Sequence, residues 1–267
     1  MNSFKALIAC SILSLLLIAH TKAGVYIYNV DQFKDADMTE TSKVFIEKDR
    51  MRVESSGGSE NNIIIFRGDK DVFWMINNDR KTYNEMTRED LEQLRKKMDN
   101  AFKEMEEQLK NLPPEQRKMM EQMMPKQAQM DMQQPAKTIY KKKSSGEKVN
   151  QWTCTLYEGF VDGKKTKDVW TADFAQLKID PNDLKGLNAM GKFFEVLTKE
   201  TDELFMIGSD ELSKEGGFSG IPVKTIEYES GDVSQITEIK EITKKSFDSA
   251  IFELPAGLKK EKGPWGE

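Results

Sequence analysis

Acid–base and nucleophilic chemistry at neutral pH calls for a histidine, an activated thiol or a paired set of carboxylates. This chain of 267 residues is poor in the first two. Its one histidine, His20, and one of its two cysteines, Cys10, fall within residues 1–23. Those residues read as an export signal. Lys5 gives a positive start, Ala6 to Ala19 an apolar run, and Thr21-Lys22-Ala23 a cleavage site before Gly24. The run is too short and wrongly flanked for a membrane anchor. Leu7-Ile8-Ala9-Cys10 resembles a lipobox, but the apolar run continues past Cys10, so the exported chain is expected to be soluble and unlipidated. It then carries no histidine and a single cysteine, Cys154. That excludes Ser-His-Asp and Cys-His catalysis, His-ligated zinc and any intramolecular disulfide.

The remaining reactive side chains are weaker signals. Carboxylates number 45, enough to supply chance pairs, and no spacing marks one acid and one base. Nine of the fifteen methionines lie between Met86 and Met132, and Met119, Met120, Met123 and Met124 recur at helical spacing. Methionine sulfur ligates Cu(I), but with no His or Cys beside it the adaptable apolar surface is the better reading. Cu(I) is kept as a distant alternative, and no cofactor is expected. Arg67-Gly68-Asp69 spells an adhesion tripeptide that a turn explains equally well. Lys141-Lys142-Lys143 reads as a solvated strand end. The net charge of −5 becomes more negative once Lys5 and Lys22 are removed, which argues against binding nucleic acid.

These residues must be positioned by a β-rich chain. Short runs at 25–30, 43–46, 51–54, 62–66, 72–76 and 81–83 alternate with turn residues, the spacing of an antiparallel meander. Ile63 to Phe66 and Val72 to Ile76 are apolar on both faces, so both faces need cover. Thr87 and Asp90 form a capping pattern ahead of Leu91, Leu94, Met98, Phe102, Met105 and Leu109, one stripe of an amphipathic helix. Glu92→Lys96, Asp99→Lys103 and Glu106→Lys110 are acid-before-base pairs on its outer side. Pro113-Pro114 breaks this helix and starts a second, Met-rich one that stops at Pro125. A Gln- and Met-rich linker follows to residue 136. Strands are expected again at 138–143 and, after a Ser144-Ser145-Gly146 turn, at 149–161, where Trp152, Cys154 and Leu156 share one face. Asp162-Gly163 turns the chain back through Trp170. Asp180-Pro181 caps a helix carrying Leu184, Leu187, Phe193, Phe194 and Leu197. Two final strands, at 221–228 and 233–242, precede a closing Phe252-Glu253-Leu254-Pro255.

Five of these stretches together resemble a known family. They are Arg50-Met51-Arg52-Val53; the hairpin from Ile64-Ile65-Phe66 to Trp74; Leu112-Pro113-Pro114-Glu115-Gln116-Arg117 with its methionine run; Gln151-Trp152-Thr153-Cys154 with Val169-Trp170-Thr171-Ala172-Asp173; and Phe252-Glu253-Leu254-Pro255-Ala256-Gly257. The family is one of exported bacterial proteins defined by a domain of unknown function, similar in architecture to the periplasmic lipoprotein carrier LolA. The resemblance implies an open antiparallel half-barrel with a greasy face closed by helices, and no assigned activity.

The expectation is therefore an α+β protein, an antiparallel open half-barrel with a helical hairpin inserted and a further helix over the sheet. Residues 1–23 form the signal peptide and 24–260 the domain, with hairpin and linker at 86–136, and 261–267 a tail. The expected function is non-catalytic binding of a hydrophobic ligand, a lipid or acyl chain, in the periplasm. Phe66, Trp74, Trp152 and Trp170, with Leu94, Met98, Phe102 and Met105 of the hairpin, are the candidate lining. Expected partners are a hydrophobic small molecule or a lipidated protein. The alternative is an interaction module that presents the Met-rich hairpin to another envelope protein.

Overall fold

The structure, a computed structural model, describes residues 23–34, 36–58, 60–113, 116, 137–197, 203–209, 212 and 216–261. The expected signal segment, the second hairpin helix with its four methionines, the linker and most of the C-terminal tail lie outside the described residues.

Alternation and turn chemistry generate two meanders. The first contains β1 (Gly24–Phe33), β2 (Met38–Glu47), β3 (Arg50–Ser56), β4 (Asn62–Arg67), β5 (Val72–Asn77) and β6 (Thr82–Thr87). The second contains β7 (Ile139–Val149), β8 (Trp152–Val161), β9 (Lys164–Ala172), β10 (Ile221–Glu229) and β11 (Asp232–Lys245). Pairing of β1 with β11 joins them into one large open sheet, and a two-residue β12 (Lys259–Lys260) extends it beside β6. Among the described residues every pairing is antiparallel except that of β12 with β6. The β8–β9 turn is built as its Asp-Gly pair demands, with positive φ at both Asp162 (50°) and Gly163 (78°). The second meander departs from the sequence reading in one place. Ser144-Ser145-Gly146 is no turn: β7 runs through it with two bulges, one at Lys143 and one at Gly146, whose φ of 89° takes up the extra residue without ending the strand. The turn falls instead at Asn150, φ 51°.

Both expected caps form. Thr87 and Asp90 make a reciprocal capping box at the start of α1 (Arg88–Lys110), and Asp180 and Asp183 make another ahead of Pro181. Asp99 of α1 pairs with Arg95 at 2.9 Å instead of with Lys103. Beyond β9 come a short α2 (Phe174–Leu177), a 3-10 turn and α3 (Lys185–Phe194).

The two-sided apolar strands receive two different covers. On one face Phe66 meets Phe193 (ring centroids 5.5 Å apart) and Phe73 meets Phe194 (5.0 Å), so α3 is the cover there. On the other face Ile65, Val72, Trp74 and Ile76 form a separate buried cluster under Leu254 and Leu258. That second cover is the C-terminal strap, residues 247–261, which ends by pairing with β6. Polar contacts hold it down. The Arg52 guanidinium donates to the Ile251 carbonyl at 3.0 Å, and the buried Arg67 bridges Asp69 and Glu253. The same arrangement disposes of the adhesion reading, since Arg67 lies sealed in its own turn and is held by Asp69.

These covers can be tested separately. A Cβ on Gly186 of α3 would lie 2.7 Å from the Glu47 carbonyl oxygen and 3.0 Å from that of Arg50. Backbone cannot yield there, so Gly186→Val should lower unfolding stability by about 1–3 kcal/mol. Lys192→Ala, on the exposed side of α3, should leave the urea midpoint unchanged. In the strap, hydrogen bonds from Lys70 and then Arg67 hold the Glu253 carboxyl below its usual range, and Arg67 does the same for Asp69. Carboxyls lowered by folding stabilise above their unfolded pKa values, about 4, and lose that contribution as pH falls through the lower folded values. The two side chains are 47% and 38% exposed, so screening limits the effect to below about 1 kcal/mol. Urea midpoints should fall below about pH 4, and Glu253→Gln should both lower the neutral-pH midpoint and flatten that fall.

Candidate ligand-binding face

Strand register converts the sequence into rows across the sheet, because directly paired residues share a face. On the face covered by α3, one row runs Val25, Ile46, Met51, Phe66, Phe73, Met86 from β1 to β6. Every member is buried. Two residues along each strand lies a second row, Ile242, Ile27, Val44, Val53, Ile64, Met75, crossing from β11 to β5. Each of these aliphatic side chains packs against the core but is only half-buried. A third row, Asn29, Ser42, Ser55, Asn62, Asn77, Thr82, is polar and uncharged. The face thus grades from a helix-covered core through an accessible aliphatic strip to a polar rim. At about 4.8 Å between strands, the strip is roughly 24 Å long.

The two ends of the strip differ. At the β6 end, Met75 pairs with Asn84, and Asn84 Oδ1 and Thr82 Oγ1 are both sealed from solvent with no hydrogen-bond partner. At the β11 end, Ile242 opens into a cleft of about 440 Å³ lined by Trp152, Gln176, Leu177, Lys178, Ile242, Thr243 and Lys244. The size falls within the range of small-ligand sites.

The side chains singled out from sequence do not all converge here. Phe66 belongs to the buried row. Trp74 pairs with Ile65, so it lies on the strap face, opposite Phe66, and its indole donates to Glu85 at 2.8 Å. Trp152 lines the cleft beneath α2. Trp170 shares a strand face with Leu156 and Cys154, but its indole N–H is taken by Glu147 at 2.6 Å and Lys224 lies over its ring. Ser144 and then Trp170 hold the Glu147 carboxyl below its usual range by hydrogen bonding. On α1, Leu91 joins the core and Leu109 is buried, while Leu94, Met98, Phe102 and Met105 between them are half-buried. α1 is tied to the region after α3 through Arg95, whose guanidinium donates to the Leu197 carbonyl at 3.1 Å. Sequence reasoning missed the second row, although its members are visible as alternate residues once turn lengths fix the register.

Cys154 is buried, and desolvation pushes its thiol up, away from the nucleophilic thiolate. Asp168 is buried on β9 but already engaged, accepting from the Tyr228 hydroxyl at 2.7 Å and facing Lys165 at 2.8 Å. Among the described residues no group of His, Cys, Asp and Glu could hold a metal ion. No helix among them is long and apolar enough to cross a membrane.

The chain belongs to the family described as Domain of unknown function (DUF4412), whose model matches residues 88–258. That description assigns no activity. Among solved structures, it is similar to an uncharacterized conserved protein from Thermus thermophilus, with TM-score 0.46 and 6% identity over 91% of each chain. It is also similar to a LolA superfamily protein from Nitrosomonas europaea, with TM-score 0.29 and 8% identity over 88% of this chain and 91% of that one. Both likenesses are too distant to carry a residue or an activity across. No curated protein matches the sequence.

Proposed function

We propose that the protein is a non-catalytic, exported binder of a long-chain hydrophobic ligand, which lies along the half-buried aliphatic row between the sheet and its helices. The observation that carries this reading is the row itself, six aliphatic side chains in register across six strands, left accessible beside a closed core. Magnitudes select the ligand. Each buried methylene contributes about 0.8 kcal/mol, so micromolar affinity near −8 kcal/mol needs roughly ten in contact before association costs are met. A short acid falls below that. One leaflet of a bilayer core is about 15 Å deep, so a lipid tail fits within a strip of roughly 24 Å.

In this reading residues 1–23 direct export to the periplasm and are removed, residues 24–260 form a half-barrel binding domain, and 261–267 a tail. The hairpin and linker at 86–136 are an insertion in that domain, and α1 acts as its cover, with Leu94, Met98, Phe102 and Met105 facing the ligand. Those four half-buried side chains also favour a second reading, in which α1 docks an envelope partner in place of a lipid.

Native mass spectrometry of protein purified from its own host distinguishes the two. The expected result is a mass increment that organic extraction removes and that Val53→Asp, with strand content unchanged by circular dichroism, abolishes. Ligand-free protein that retains a co-purifying protein partner would favour the docking reading.

A further inference from the structure

The strip has direction as well as length. An ionised head group cannot be taken out of water without a partner, and the buried polar atoms at the β6 end, Asn84 Oδ1 and Thr82 Oγ1, are oxygens and offer no cation. The β11 end opens into the Trp152–Ile242 cleft, where the charged lining groups are Lys178 and Lys244. Lys244 is already paired with Asp183 at 2.6 Å. Among the described residues Lys178 makes no ion pair. Its backbone is pinned in the left-handed region (φ 54°, ψ 36°) as the cap of α2, with its N–H donating to the Ala175 and Phe174 carbonyls. The cleft floor is held equally firmly, since Gln176 exchanges two hydrogen bonds with the Thr153 backbone at 3.0 and 2.9 Å. An unpaired ammonium on a fixed backbone therefore stands at the mouth of a cleft with mixed polar and apolar walls, which meets the aliphatic strip at Ile242.

We infer that the cleft is a head-group site and that the ligand is a single-chain anionic amphiphile, its acidic group at Lys178 and its tail running from Ile242 toward Met75. This rests on the proposed binding function and adds to it the charge and the orientation of the ligand. The polar row alongside the strip is neutral, so no second position along it competes for the acid. Lys244, held by Asp183, supplies a neutralised wall on one side of the cleft, and Trp152 and Leu177 supply the apolar floor beneath the first methylenes.

The test compares three probes of equal tail length, hexadecanoate, hexadecanol and hexadecyltrimethylammonium. Each is titrated below its critical micelle concentration or, for hexadecanol, its solubility limit, against delipidated protein, with intrinsic tryptophan fluorescence as readout. Hexadecanoate should bind about fivefold more tightly than hexadecanol, the scale of one solvent-exposed charge pair, and the ammonium probe should bind most weakly. Lys178→Glu should abolish the preference for the acid, whereas Lys192→Glu, an equal charge change on the exposed side of α3, should preserve it. Equal binding of all three probes, or a preference that survives Lys178→Glu, overturns the head-group assignment and leaves the binding function standing. Failure of every probe to bind overturns both.

Discussion

The structure depends on strands β4 and β5 being apolar on both faces. A strand of this kind cannot rest on a sheet with one side in water, so the chain must supply two covers from distant parts of itself. It does so with α3, whose Phe193 and Phe194 meet Phe66 and Phe73, and with the C-terminal strap, whose Leu254 and Leu258 lie on the Ile65–Trp74–Ile76 cluster. Each cover is seated by a specific contact. Gly186 lets α3 approach the β2–β3 turn, and Arg67 ties the strap to its own turn through Glu253. The sheet stays open, since these two strands, close to its β6–β12 edge, are protected by the covers without closing edge to edge.

The proposed function rests on where the first cover stops. α3 covers the row containing Phe66 and leaves the next one, Val44 to Met75, half-buried. Apolar surface kept accessible in register across several strands is unusual for a core margin, where polar residues ordinarily begin at once. Here the polar residues begin one row later, with Asn29, Ser42 and Ser55. That one-row delay is the feature on which the proposed binding face rests.

Much of this is legible in the sequence. Alternation and turn chemistry place the strands, and the capping residues Thr87 and Asp180 place the helix starts. What fails is the step from strands to faces. Phe66 and Trp74 group together on sequence grounds because both are aromatic and close in the chain. A four-residue turn at 68–71 pairs Phe66 with Phe73 and Ile65 with Trp74, which puts the two rings on opposite sides. Gly146 marks a bulge where a turn is expected, because positive φ serves either and only the partner strand decides. The strap is harder still. Its residues carry no periodicity, and Glu253 meets a guanidinium 186 positions away, a contact that local pattern cannot reveal. The cleft at Trp152 joins β8, α2 and β11, three elements whose adjacency is set by pairing alone.

The most direct test of the central claim is photolabelling with a long-chain acyl probe carrying a terminal diazirine, followed by peptide mapping. The tail end should label strands β3 to β5 at Val53, Ile64 and Met75, on the face shared with α3. Label confined to the strap face around Ile65 and Trp74, or to the outer surface of α1, would contradict the account.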